Sequence, residues 1–160
     1  MQQKEITNTA KFADIAAHGR LLALDPGTRK LGVAVSDETR TIATPVRTIE
    51  RRSWKKLLLE IRGIIEEFDA KAVVIGLPYN TDGSESEMSA EARRIARNLA
   101  LSIAVPVFLQ DERVTSYEAK GRLWERGVTL ADTQKYVDSE AAAIILTDFL
   151  ELLRDGNSPS

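Results

Sequence analysis

The chain has no cysteine, one histidine and few aromatic residues, 6 % of its 160 positions. The absence of cysteine removes disulfide frameworks, zinc–thiolate sites and thiol nucleophiles together. A lone histidine, His18, excludes His-rich metal sites and argues against a Ser/His/Asp triad. No apolar run approaches the roughly 18–20 residues that span a bilayer. The N-terminal stretch MQQKEITNTAKFADIAAHG is polar where a signal peptide needs continuous apolar residues. These absences predict an intracellular, cytoplasmic protein with no membrane partner. An enzyme of this composition must work with carboxylates, hydroxyls, Lys or Arg.

The length suits one domain, since domains commonly run to about 100–200 residues, and it suffices to bury a core without staples. Residues 1–19 read as an extension, a mobile arm or a short docking helix around Phe12, Ile15 and Ala16. Residues 20–154 read as the domain, and residues 155–160, DGNSPS, as a polar tail.

Within the domain, Arg20–Asp25, Leu31–Asp37 and Thr41–Thr48 are β-type runs separated by turn-forming PGTR and DETR. Such short connections join antiparallel neighbours. The period then becomes helical: Trp54, Leu57, Leu58, Ile61, Ile64, Ile65 and Phe68 recur at steps of three or four. Ala72–Leu77 is a continuous apolar run, as expected of a strand covered on both faces. A loop over Pro78–Ser84, a helix over Glu85–Ser102 and a strand over Val105–Leu109 follow. Thr115-Ser-Tyr-Glu118 matches a capping box, predicting a helix to Gly127. A loop through Asp132 leads to a last helix from Asp138 to Arg154. The order βββ-α-β-α-β-α-α predicts a mixed five-stranded α/β sheet, three antiparallel strands and then parallel ones, flanked by helices.

The informative residues are acids where burial should exclude them. Asp25 closes the run Leu21–Leu24 and shares a strand face with Leu21 and Ala23. Its bland role is an Asx turn before Pro26-Gly27. Asp111 and Glu112 follow the fifth strand, where the bland role is a solvated pair balanced by Arg113. Asp138 heads the stripe Ala142, Ile145, Phe149 and Leu152, so it sits on the apolar helix face, and its bland role is an N-cap. Strand ends and a helix facing one sheet can converge. Three carboxylates brought together would repel one another unless a cation neutralised them. Hard oxygen donors without His or Cys suit Mg²⁺ or Mn²⁺, and such a site serves phosphodiester cleavage.

The segment Asp25-Pro-Gly-Thr-Arg-Lys-Leu-Gly-Val-Ala-Val-Ser-Asp37 resembles the opening motif of the YqgF-type, or RuvX-like, family within the RNase H-like superfamily. Three further blocks match in order: Gly76-Leu-Pro-Tyr-Asn-Thr-Asp-Gly83, Asp111-Glu-Arg-Val-Thr-Ser116 and Asp138-Ser-Glu-Ala-Ala-Ala-Ile-Ile-Leu146. The match covers about Arg20 to Leu153. Members are described as Holliday junction resolvases or pre-16S rRNA nucleases. The resemblance implies an RNase H-like fold and a divalent-metal nuclease site, with Asp25 as the first-strand acid and Asp138 as the last-helix acid. The fifth-strand acid is Glu112 or Asp111. Glu112 is favoured by its longer reach, and both stay open because the register is not set by sequence. The family usually has Lys-Arg where this chain has Arg29-Lys30, which keeps both charges.

The net charge of −2 hides an asymmetry: Arg20 to Arg62 holds ten Lys/Arg against five Asp/Glu. Arg47, Arg51, Arg52, Lys55 and Lys56 cluster near the first long helix. Arg93, Arg94 and Arg97 form a second group, and Arg113, Lys120, Arg122 and Arg126 a third. Basic side chains beside a metal site hold phosphates, so Arg29, Lys30, Arg51, Arg52, Lys55, Asn80 and Arg113 are the candidate nucleic-acid contacts. Their ordinary alternative is a solvated helix face or a loop cap. Trp54 and Trp124 are expected in packing.

Three functions compete at this level. One is a metal-dependent nuclease acting on pre-rRNA, with branched DNA as the alternative substrate. The second is a non-catalytic RNA-binding factor in ribosome assembly. The third is an ATP-dependent phosphotransferase, because Asp-x-Gly-Thr also resembles the phosphate loop of sugar kinases, actin and Hsp70 chaperones. Those proteins need two such domains around a cleft. Junction cleavage asks for two symmetric sites, hence a dimer. No heptad or exposed apolar strip is visible in the sequence, so a monomer or weak homodimer is expected.

Overall fold

The computed structural model describes residues 11–78, 84, 86–112 and 130–156, and at 112 and 130–138 the backbone alone. Five strands form one sheet: β1 (Leu22–Pro26), β2 (Lys30–Ser36), β3 (Ala43–Glu50), β4 (Val73–Pro78) and β5 (Val107–Glu112). Their spatial order is β3-β2-β1-β4-β5. β1 pairs antiparallel with β2, and β2 with β3. β1 pairs parallel with β4, and β4 with β5. This is the mixed sheet that the element order predicts.

Helices α1 (Trp54–Phe68) and α2 (Glu87–Ser102) cover one face, and α3 (Leu130–Asp155) covers the other. α1 starts at Ser53, whose side chain accepts from the Lys56 N–H, and ends at Asp69 in the left-handed region (φ 51°). Its stripe Leu57, Ile61 and Ile64 is buried against Leu22, Leu24, Val33 and Ile75. Full burial of each such side chain contributes roughly 1.5–3 kcal/mol over exposure. α2 opens with a reciprocal cap: the Ser89 N–H donates to Ser86 Oγ (3.0 Å), and the Ser86 N–H donates to Ser89 Oγ (2.8 Å). Trp54 packs at the edge of this core, as expected.

Two elements depart from the sequence reading. β5 continues three residues past Leu109, so Asp111 and Glu112 belong to the strand. α3 begins at Leu130, eight residues before the expected start. No Gly or Pro lies between Leu130 and Asp138, so nothing in the chain halts the helix there. Asp138 is therefore two turns inside the helix, and it is not an N-cap. The described part of the extension takes the docked one of its two expected forms, with a 3₁₀ turn in place of a longer helix. A 3₁₀ turn at Phe12–Asp14 sets the Phe12 ring against Phe149 (5.5 Å between centroids, edge-on) and Phe108 (6.0 Å). Ile15 is buried in the α3-side core. Arg40 fastens the segment, donating from Nε to the Gly19 carbonyl (2.8 Å) and from a terminal nitrogen to the Ala16 carbonyl (2.6 Å). The expected helix from Thr115 to Gly127 lies outside the described residues, as do Trp124 and residues 157–160 of the tail. No helix among the described residues is long and apolar enough to cross a membrane.

Candidate nuclease site

Alternation along the strands assigns each acid to a face. Ala23, Val74 and Phe108 belong to the α3-side core, and Leu24, Ile75 and Val107 to the opposite one. Stepping by two, positions 25, 76, 78, 110 and 112 fall in the α3-side rows, while positions 77, 109 and 111 fall in the other. Gly76 pairs with Gln110, Leu77 with Asp111 and Pro78 with Glu112. Position 112 thus shares Asp25's face of the sheet. Asp111 sits on the opposite side and is exposed.

Asp25 is half-buried at the carboxyl end of β1, opposite Gly32 of β2. Its carboxylate reaches over β4. A Cβ placed on Gly76 would lie 3.6 Å from Asp25 Oδ1 and only 2.3 Å from Ile145 Cδ1. The missing side chain at position 76 is what lets an acid and a helix residue occupy the same space above the sheet. Asp138 lies two turns before Ile145 on α3, the helix that lies across this face. Ala142, Ile145 and Phe149, the stripe that Asp138 heads, are buried in the α3-side core. The backbone therefore brings β1, β5 and α3, the carriers of Asp25, Glu112 and Asp138, to one face of one sheet. Among the described residues no group of three His, Cys, Asp or Glu forms a ready metal cluster. The side chains of Glu112 and Asp138 lie outside that description. The donors present are oxygen donors, the type that Mg²⁺ and Mn²⁺ take.

α3 is buried on every side from Ser139 to Leu146. Ser139 and Glu140, directly after Asp138, are 3 % and 1 % exposed. Glu140 belongs to none of the carboxylate positions that strand ends or the helix stripe mark in the sequence. Its signal is an acid leading into the apolar run Ala141–Leu146.

The turn after Asp25 is tight. The Gly27 N–H donates to the Lys30 carbonyl (2.8 Å), and a Cβ at position 27 would sit 2.9 Å from that oxygen. Thr28, Arg29 and Lys30 are exposed there. Lys55 is exposed near the start of α1. Arg52 pairs with Glu50 (2.7 Å) on the surface, and its guanidinium, with a smaller contribution from Lys30, holds the Glu50 carboxyl below its ordinary value. Arg51 is different. It donates to the Gly27 carbonyl (2.7 Å) and pairs with Glu91, at only 16 % side-chain exposure. Asn80 and Arg113 lie outside the described residues. Arg47 pairs with Glu67 (3.1 Å) and Arg94 with Glu91 (2.6 Å), so one member of each of the first two basic groups makes an ion pair within the fold.

Residues 19–152 match the family model described as "RuvX: Holliday junction resolvase". A protein of Anaeromyxobacter dehalogenans, named "Putative pre-16S rRNA nuclease", is 40 % identical over 132 residues, covering 82 % of this chain and 96 % of the relative. A protein of Novosphingobium aromaticivorans with the same name is 40 % identical over 139 residues, covering 87 % and 89 %. Among solved structures, T. thermophilus RuvC in complex with a Holliday junction substrate aligns with a TM-score of 0.56 at 17 % identity, over 88 % of this chain and 98 % of that one. That likeness establishes the RuvC-like, RNase H-type fold. On the strength of a family model spanning the whole sheet and α3 up to residue 152, and of relatives matched over nearly their full length, the chain belongs to the RuvX family of nucleases.

Proposed function

We propose that this chain is a divalent-metal-dependent nuclease that hydrolyses phosphodiester bonds in the processing of the 5′ end of pre-16S rRNA. Asp25, Glu112 and Asp138 are its metal-holding carboxylates. The observation that carries this reading is the Asp25 carboxylate, half-buried over Gly76 on the sheet face that α3 covers. Strand alternation favours Glu112 over Asp111, because position 112 shares that face and position 111 does not. A divalent ion held by these carboxylates would supply the activation of water and the stabilisation of the leaving oxygen. The chain supplies the rest. The carboxylates fix the site on two strands and a helix, rigid elements that hold a reacting geometry better than loops. Arg29 and Lys30, exposed on the turn beside Asp25, hold the flanking phosphates, with Lys55, Arg52, Asn80 and Arg113 extending the track. The names of the relatives support pre-16S rRNA as the substrate.

The family description supports a second reading, cleavage of four-way DNA junctions. The deciding experiment compares a pre-16S rRNA fragment and a synthetic junction under Mg²⁺ and Mn²⁺, with wild type and Asp25→Asn. Asp25-dependent cutting of the RNA fragment alone supports the first reading, and of the junction alone the second. Binding without Asp25-dependent cutting supports an assembly factor without catalysis.

A further inference from the structure

Arg51 has the position of a phosphate contact in the sequence and the bonds of a strut in the fold. It follows β3, and its own N–H donates to the Arg29 carbonyl (2.8 Å). Its guanidinium donates to the Gly27 carbonyl (2.7 Å). One residue thus grips both sides of Thr28, by main chain and by side chain. Arg51 is itself held from behind. Its second terminal nitrogen pairs with Glu91 of α2. Arg94, one helical turn on, clasps the same carboxylate from two nitrogens (3.0 and 2.6 Å). The Glu91 carboxyl, hydrogen-bonded first by Arg94 and then by Arg51, is held down at about 2. It stays anionic throughout the range where a nuclease works.

The space beside this strut is open. A depression of about 460 Å³, lined by Thr28, Arg51, Arg52, Glu87, Met88 and Glu91, separates the turn from the start of α2. Among the described residues no packed side chain fills it, so hydrogen bonds from Arg51 keep the turn from swinging into it. Thr28 and Arg29 ride on that turn two or more residues from Asp25, with their side chains in solvent.

We infer that Arg51 is a positioning residue for the reaction: anchored by Glu91 and Arg94, it holds the Pro26–Lys30 turn so that Arg29 meets the substrate backbone in register with Asp25. The inference rests on the nuclease reading above. Arg51 itself contacts no phosphate, because its donors are turned to Gly27 and Glu91. A misplacement of about 1 Å can lower a rate by about 10²-fold without contact to the reacting atoms.

The test uses the full chain and four variants: Arg51→Met, Arg51→Lys, Arg29→Ala and the Arg51→Met/Arg29→Ala double. Cleavage of the pre-16S fragment gives kcat and KM. Binding of the same RNA without metal gives the salt slope, and thermal melting checks the fold. The expected results are a fall in kcat of about tenfold or more in Arg51→Met, and partial recovery in Arg51→Lys. Arg29→Ala should lower the salt slope by about 0.7–0.9 in the wild-type background, the loss of one phosphate contact. In the Arg51→Met background it should change the slope little, because the turn no longer presents Arg29. Wild-type kcat in Arg51→Met overturns the inference. So do two independent, additive losses of slope, which would make Arg51 a phosphate contact itself. If Arg51→Met does not fold, Glu91→Gln replaces it, and an unchanged kcat there overturns the anchoring. A wild-type chain that cuts nothing defeats the nuclease reading instead, and the salt slopes then decide Arg51 alone.

Discussion

Asp25 and Ile145 share the space above Gly76, the acid from β1 and the apolar chain from α3. Gly76→Ala puts a carbon 2.3 Å from Ile145 Cδ1. Ile145 must give way at the end of its side chain, and its buried surroundings leave that chain little room to turn. The expected cost is about 1–3 kcal/mol, as for overpacking elsewhere. Cleavage should fall by more than the loss of folded protein explains, since the added carbon also lies 3.6 Å from Asp25 Oδ1. Denaturant unfolding and kcat, measured on the same preparation, separate the two effects. Unchanged stability would show that the space is not limiting.

The docked extension makes a separate claim on stability. Phe12 bridges Phe108 on β5 and Phe149 on α3. It also joins the ends of two elements that carry candidate ligands. Phe12→Ala should cost about 1–3 kcal/mol, below the full value for a buried Phe because this ring is half-buried. A shift in the denaturation midpoint at constant slope is the expected reading.

Two carboxyls give the fold an acid edge. The Ile42 N–H, the Thr39 hydroxyl and the Thr41 N–H all donate to Asp37, which holds its carboxyl down at about 2 from an ordinary 3.8. Glu91, between Arg94 and Arg51, is held at about 2 from 4.5. A carboxyl with a depressed folded-state value stabilises above its unfolded value. That stability is lost as pH falls toward the folded one. The chain should keep constant stability from pH 7 to about 5 and lose it progressively between about 4.5 and 2. Glu91→Gln should be less stable at pH 7 and show a shallower decline. A decline as steep as the wild type's would remove Glu91 from the cause.

A metal ion that binds the folded chain alone raises its melting temperature by mass action, about 2.7 kcal/mol at a hundredfold excess over Kd. Mg²⁺ or Mn²⁺ should stabilise the wild type. Asp25→Asn and Asp138→Asn should lose most of the shift. Asp111→Asn should keep it, because position 111 faces away from Asp25. Equal shifts in all four proteins would place the ion elsewhere.

Much of this was legible in the residues. α1 coincides with its predicted bounds, because its apolar stripe is clean and Ser53 and Asp69 bracket it. The mixed sheet follows from short turns, which allow only antiparallel pairs, and from the helical crossovers after them. Asp25 was visible as an acid ending an apolar strand. The face that each of positions 111 and 112 takes was not, because alternation has a period and no phase until Phe108 is known to face α3. The start of α3 was hidden for a related reason: Ala131 to Val137 carries no clear stripe, so periodicity begins to speak only at Asp138. Arg51 reads in sequence like Arg52. Charge type and spacing cannot separate a guanidinium that meets a phosphate from one that meets Gly27 and Glu91 on distant parts of the chain.

The most direct test of the central claim is Mg²⁺-dependent cleavage of a pre-16S rRNA fragment by wild type and Asp25→Asn, with melting curves run alongside. The wild type is expected to cut. Asp25→Asn should fold normally, still bind RNA, and cut at least about 10²-fold more slowly, the scale of losing a preorganised catalytic group. Equal cutting by a folded Asp25→Asn would contradict the claim.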